Sequence, residues 1–165
     1  MRNSMELRLV GCKLTHTATN YIFGTSTSRP MKLYRTLCLI DSTYTHYFRY
    51  VSLDLYNSGI VSLREYAAGT PNLIRNGTFR WNDSFVAMFQ DAQPLDMIGT
   101  GGYLDAGSAN NYRWNCNSEA GGTEGNLHFR QGRAITEQAL STDDFRFRPN
   151  SPLANGGVKV WDPYA

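Results

Sequence analysis

The chain is poor in lysine, in total charge, in paired cysteines and in long apolar runs. Lysine occurs three times (Lys13, Lys32, Lys159) against thirteen arginines, and Asp, Glu, Lys and Arg together make up only 18% of the residues. The formal net charge of +2 is too small an excess to draw the chain to nucleic acid or to an anionic membrane. The three cysteines, Cys12, Cys38 and Cys116, are an odd number with no CxxC pair, which gives neither a disulfide framework nor a zinc site. No metal and no cofactor is therefore expected. No run approaches the roughly 18–20 apolar residues of a membrane span. Met1–Leu9 is strand-like and contains Glu6, unlike a secretion signal. Lysis or incorporation into a particle would be the routes out of a cell. Only Ala134–Leu140 reads as a helix, of about two turns, with Ile135, Ala139 and Leu140 on its buried side.

Aromatic residues are plentiful. They reach 13%, with ten tyrosines, and apolar residues reach 41% of 165, enough for one domain with a real core. Abundant Thr, Ser, Asn and Gly favour strands and turns over helices. An arginine-rich, tyrosine-rich, lysine-poor composition is typical of protein interfaces.

One pattern returns four times: Leu7–Leu14 (LRLVGCKL), Leu37–Tyr44 (LCLIDSTY), Leu53–Ile60 (LDLYNSGI) and Asn72–Phe79 (NLIRNGTF). An alternating apolar run meets Gly, Asp or Asn, then two mostly small or polar residues, then one apolar residue. Alternation puts Leu7 with Leu9, Leu37 with Leu39, and Leu53 with Leu55 on one face of each strand, as a core ladder. Gly11, Asp41, Asn57 and Asn76 are of types that tolerate a left-handed backbone, so they are read as structural corners. Their spacings are 30, 16 and 19 residues (11 to 41, 41 to 57, 57 to 76). Repeats of this kind mark a solenoid, whose rungs are stable only when stacked. Phe85, Val86, Met88 and Phe89 suggest a strand buried on both sides. Residues 1–92 are read as rungs. Residues 93–165, with Gly-rich loops around the strand-like Asn111–Cys116, are read as a distorted last rung and a cap that closes the open end.

These repeats resemble the rungs of right-handed parallel β-helix proteins, Leu73–Phe79 (LIRNGTF) most closely. Asp143–Val158 (DDFRFRPNSPLANGGV) resembles the tail that ends many such domains. The implied fold is all-β: a short right-handed parallel β-helix, four to six rungs long, with a loop-rich C-terminal cap containing one short helix. The family includes polysaccharide lyases, glycoside hydrolases, bacteriophage tailspikes and surface adhesins, and fold alone does not choose among them.

Cleavage of a sugar bond needs two facing carboxylates about 5–10 Å apart. Asp41 and Asp54 are weak catalytic candidates, but Asp41 holds a corner position and Asp54 points outward between Leu53 and Leu55. Asp143 and Asp144, adjacent on a strand, would face opposite ways. His16 and His46 occupy matching places after Leu14 and Tyr44, and would be neighbours in a stacked solenoid. His46 is thus a third weak catalytic candidate, against a polar stacking ladder. Tyr44, Tyr47, Tyr50 and Tyr56 form an aromatic set suited to a glycan or to an oligomer contact. The Gly99–Gly102 run lacks the strand–helix context of a phosphate loop.

The expected function is a non-catalytic structural protein of the bacteriophage virion surface, a capsid decoration or part of a tail fibre or spike. Its partners would be copies of itself, as a trimer by resemblance to tailspikes, other virion proteins, and a bacterial surface glycan. No nucleic acid and no membrane span is expected. The alternatives are a fragment of a polysaccharide-cleaving lyase or glycoside hydrolase, and a stand-alone glycan-binding module.

Overall fold

A computed structural model of the chain describes residues 6–17, 23–40, 42, 46–62, 71–88, 94–105, 110–117 and 121–124. In chain order the strands are β1 (Leu7–Val10), β2 (Lys13–His16), β3 (Phe23–Tyr34), β4 (Leu37–Ile40), β5 (His46–Tyr56), β6 (Gly59–Ser62) and β7 (Asn72–Arg75). They continue as β8 (Thr78–Asn82), β9 (Phe85–Met88), β10 (Asp96–Ile98), β11 (Tyr103–Leu104), β12 (Tyr112–Trp114) and β13 (Thr123–Glu124). Every pairing between them is parallel. The fold is an all-β parallel solenoid of about three turns, with no helix among the described residues. Stacking continues past residue 92, through β10 to β13. The expected helix at Ala134–Leu140 and the tail at Asp143–Val158 lie outside the described residues.

Each turn runs over three faces. Face A stacks β1, the ends of β3 and β5, β8 and β11; face B stacks β2, β4, β6, β9, β12 and β13; face C stacks the starts of β3 and β5, β7 and β10. On face A the inward rows are Leu7, Met31, Leu53, Phe79 and Leu9, Leu33, Leu55, Trp81. Met31, Leu33, Leu53, Leu55, Phe79 and Trp81 are almost wholly buried, whereas Leu7 and Leu9 in the first rung are partly buried. Leucines 7, 9, 53 and 55 thus share a face, as the alternation requires. Leu37 and Leu39 do not. They lie on face B, level with Lys13 and Thr15, and the interior there is filled by their neighbours Cys38 and Ile40. By alternation Leu37, Leu39, Val61, Phe85 and Ala87 point to the opposite side of face B, and they too are buried. That double burial hides the period of two, as expected for Phe85–Met88, where all of β9 is buried. Gly59 fits this crowded side because a Cβ there would fall 2.1 Å from the Phe85 ring.

The corner between faces A and B carries the stack. Gly11, Arg35, Asn57 and Asp83 all have positive φ (64°, 45°, 47° and 47°), so the chain turns there with a left-handed residue. Their spacings are 24, 22 and 26 residues (11 to 35, 35 to 57, 57 to 83), not the 30, 16 and 19 read from the repeat. Asn76 (φ 51°) belongs to a second corner, between faces C and A, with Tyr50 (52°) and Gly101 (69°). Asp41 lies outside the described residues.

One residue after each A–B corner, Thr36, Ser58 and Ser84 are fully buried and form a polar ladder. The Thr36 N–H donates to the Ser58 hydroxyl (3.1 Å), the Ser58 N–H to the Ser84 hydroxyl (3.1 Å), and the Ser84 N–H to Asn111 Oδ1 (3.1 Å). Each hydroxyl in turn donates to a carbonyl two residues back, as Ser58 does to Tyr56 (2.8 Å) and Ser84 to Asn82 (2.7 Å). Backbone donors that the turn takes out of the strands are thereby satisfied from rung to rung.

Candidate functional site

The outward side of face A is a charged ladder. Arg8, Lys32, Asp54 and Arg80 occupy one row, and Asp105 continues it beside Arg80. Glu6 pairs with Arg8 and with Lys32 (3.0 Å to Nζ), and the Arg80 guanidinium bonds Asp105. Asp54 is half-buried there. Burial raises its carboxyl above the ordinary range, Asp105 and Glu6 add to that, and Arg80 and Lys32 oppose it. Asp54 and Asp105 stand two strands apart, about 10 Å at the spacing of strands. That lies near the separation of the carboxylates in an inverting glycosidase. Arg80, however, stands between them and is bonded to Asp105, so from Lys32 to Asp105 the row reads as alternating charges that neutralise one another.

The next outward row is Val10, Tyr34, Tyr56 and Asn82. Tyr34 and Tyr56 stack with ring centroids 4.8 Å apart and planes within 7°. Tyr56 is therefore on an outer aromatic ladder. Tyr47 is not: it is fully buried, its hydroxyl 2.7 Å from Ser62 Oγ, and burial pushes its phenol up to about 12. The aromatic set expected from the sequence is thus split, because Tyr47 lies on face C among core residues while Tyr56 faces out on face A. Tyr50 sits at the C–A corner, half-buried and with a left-handed backbone. Tyr44 lies outside the described residues.

The two histidines are not neighbours. His16 pairs in register with Ile40 on face B, and His46 with Asn72 on face C. The matching places that suggested a pair came from aligning β4 with face A. His46 is buried, and its pKa is lowered by burial first, then by Arg75 and Arg49. Arg49 and Arg75 pair in register on β5 and β7, and the Arg49 guanidinium lies 5.0 Å from the Tyr50 ring centroid. Sequence reading missed both arginines, since nothing short of the true register brings residues 49 and 75 together.

Below them on face C, the Asp96 carboxylate accepts from Asn72 Nδ2 (3.1 Å), Asn117 Nδ2 (2.7 Å) and the Ile98 N–H (3.2 Å). Asn117 also holds the Met97 N–H through Oδ1 (3.0 Å). This carboxylate is fully engaged in tying three successive turns together. Cys38 and Cys116 are buried, and burial pushes each thiol up to about 12. Among the described residues no group of three or more His, Cys, Asp or Glu is placed to hold a metal ion, and no helix is long and apolar enough to cross a membrane.

Comparison with known protein families, with curated proteins and with solved structures finds no match to this chain.

Proposed function

We propose that the chain works by assembly. It is a non-catalytic structural protein displayed on the surface of a bacteriophage particle, a capsid decoration or a component of a tail fibre or spike. It acts through contacts with copies of itself, a trimer being the assembly of choice, and with other particle proteins. The particle surface rests on the resemblance of the repeats to the rungs of tailspike-type solenoids, an argument from fold alone.

The observation that carries the assembly reading is the incomplete burial of the first rung. Leu7, Leu9 and Leu14 are only partly buried, although their partners in the next turn, Met31, Leu33 and Cys38, are 2%, 0% and 0% exposed. Val10, in front of the Tyr34–Tyr56 stack, is 61% exposed. Among the described residues β1 and β2 end their sheets, so this apolar end and the aromatic row beside it form one continuous surface there. A short solenoid gains most by covering such a surface with another chain.

Sedimentation velocity on the full chain tests this. An oligomer is expected, and Val10→Glu should dissociate it while the far-UV β signal persists. A stable monomer that depolymerises a bacterial polysaccharide, and stops doing so as Asp54→Asn, would overturn the reading in favour of a hydrolase.

A further inference from the structure

We propose that Arg49 and Arg75 form a binding site for an oxyanion, a carboxylate, sulfate or phosphate group, at the corner between faces C and A. The site is independent of the surface through which the chain assembles.

The two arginines are directly opposite each other on neighbouring parallel strands, which lie about 4.8 Å apart, so their side chains leave the same side of the sheet. Like charges facing each other across a strand pair are destabilising. Elsewhere among the described residues such crowding is relieved by acids. Glu6 serves Arg8 and Lys32, Asp105 serves Arg80, and Glu124 serves Arg113. Among the described residues no acid pairs with Arg49 or Arg75. Their Nε atoms, like that of Arg80, are also buried and make no hydrogen bond, but of the three only Arg80 has a described acid on its outer nitrogens. A buried donor left unsatisfied costs free energy unless a partner arrives.

The surroundings keep the pair fixed. The Tyr50 ring lies under the Arg49 guanidinium, a cation–π contact that orients the fork. Tyr50 itself holds a left-handed backbone (φ 52°), and aromatic residues adopt that conformation rarely and at a cost; such strain gathers at binding sites. His46, on the same strand, is held toward its neutral form by burial and by both guanidiniums, so it adds no third positive charge. Two planar forks at strand spacing match the oxygens of one oxyanion, each guanidinium giving parallel N–H donors. The ligand supplies the negative charge that no described acid provides at this pair.

Calorimetric titration of the full chain at low ionic strength, with sulfate, phosphate, glucuronate and uncharged glucose, tests the site. Saturable binding of the oxyanions and none of glucose is expected. Arg49→Gln or Arg75→Gln should weaken it about tenfold or more, and Arg80→Gln, whose guanidinium is already bonded to Asp105, by less than about threefold. Glucuronate binding more tightly than both inorganic ions assigns the anion to a sugar acid; equal binding assigns a simple oxyanion. Thermal melting gives a second readout. In low salt without ligand, Arg75→Gln should melt higher than the parent, because one of two facing like charges is gone, and sulfate should raise the parent's melting point more than the variant's. Absence of saturable binding, binding unchanged in Arg75→Gln, or a lower low-salt melting point in that variant would overturn the proposal.

Discussion

Ser58→Ala is the sharpest probe of how the turns are held together. Ser58 has no exposed surface, and its hydroxyl accepts from the Thr36 N–H while donating to Tyr56 O (2.8 Å) or Leu33 O (2.9 Å). Alanine fits the same space, so cavity and overpacking effects are small. What remains is electrostatic. The Thr36 N–H becomes a buried donor without a partner, at about 1–3 kcal/mol, and the hydroxyl's own bond is lost, at about 0.5–1.5 kcal/mol. The expected destabilisation is about 2–4 kcal/mol, a large share of a domain's net stability. The assay is urea unfolding followed by circular dichroism. Ser52→Ala is the control, since Ser52 sits half-buried on the outward side of β5 and should change stability by no more than about 0.5 kcal/mol. Ser84→Ala should cost a similar amount, because it takes the acceptor from the buried Ser58 N–H (3.1 Å). If Ser58→Ala melts with Ser52→Ala, the ladder does not hold the turns, and the account of the A–B corner fails.

Gly77→Ala should destabilise by at least about 1–3 kcal/mol, since its Cβ would lie 2.2 Å from the Val51 carbonyl oxygen in the middle of β5; unfolding at parental denaturant would show that the C–A corner is misplaced. The His46 pKa is lowered in the fold by burial, Arg75 and Arg49, so on acidification the unfolded chain takes up that proton first. Its contribution is therefore complete above the ordinary value of 6.5 and is lost as pH falls through it. His46→Gln should flatten the stability profile between about pH 7.5 and 5.5, and an unchanged slope would refute the assignment. In native protein at pH 8 a thiol reagent should label Cys12 quickly and leave Cys38 and Cys116 unreacted, because thiols raised to about 12 hold only on the order of one thiolate in 10,000; rapid labelling of all three would contradict the burial.

Much of the architecture was legible in short-range chemistry. Alternation in Leu7–Leu9 and Leu53–Leu55 put those side chains inward, and left-handed residue types at Gly11, Asn57 and Asn76 marked real corners. Parallel stacking followed, because a short strand that turns sharply can satisfy its backbone only against the next copy of itself. The alignment of the copies was not legible. LCLI in β4 has the same Leu-x-Leu pattern as β1 and the end of β5, and a period of two records which side a residue faces, not which of three faces it belongs to. The reliable signal was quieter: a small polar or thiol residue one place after each A–B corner, Cys12, Thr36, Ser58 and Ser84, buried from Thr36 onward. The left-handed Arg35 and Asp83 hid it, since arginine in particular does not advertise that conformation.

Everything that depends on which strands are neighbours was decided by the tertiary structure. Tyr47 is buried and Tyr56 is stacked outside because one lies on face C and the other on face A. Asp54 gains charged neighbours, and Arg49 faces Arg75, only once the turns are in register. A sequence states each residue's own preference for strand, corner or core through local sterics and hydrophobicity. The company a side chain keeps across 22 to 26 residues of chain (35 to 57, 57 to 83) is set by how the turns stack, and charge and exposure follow from that company.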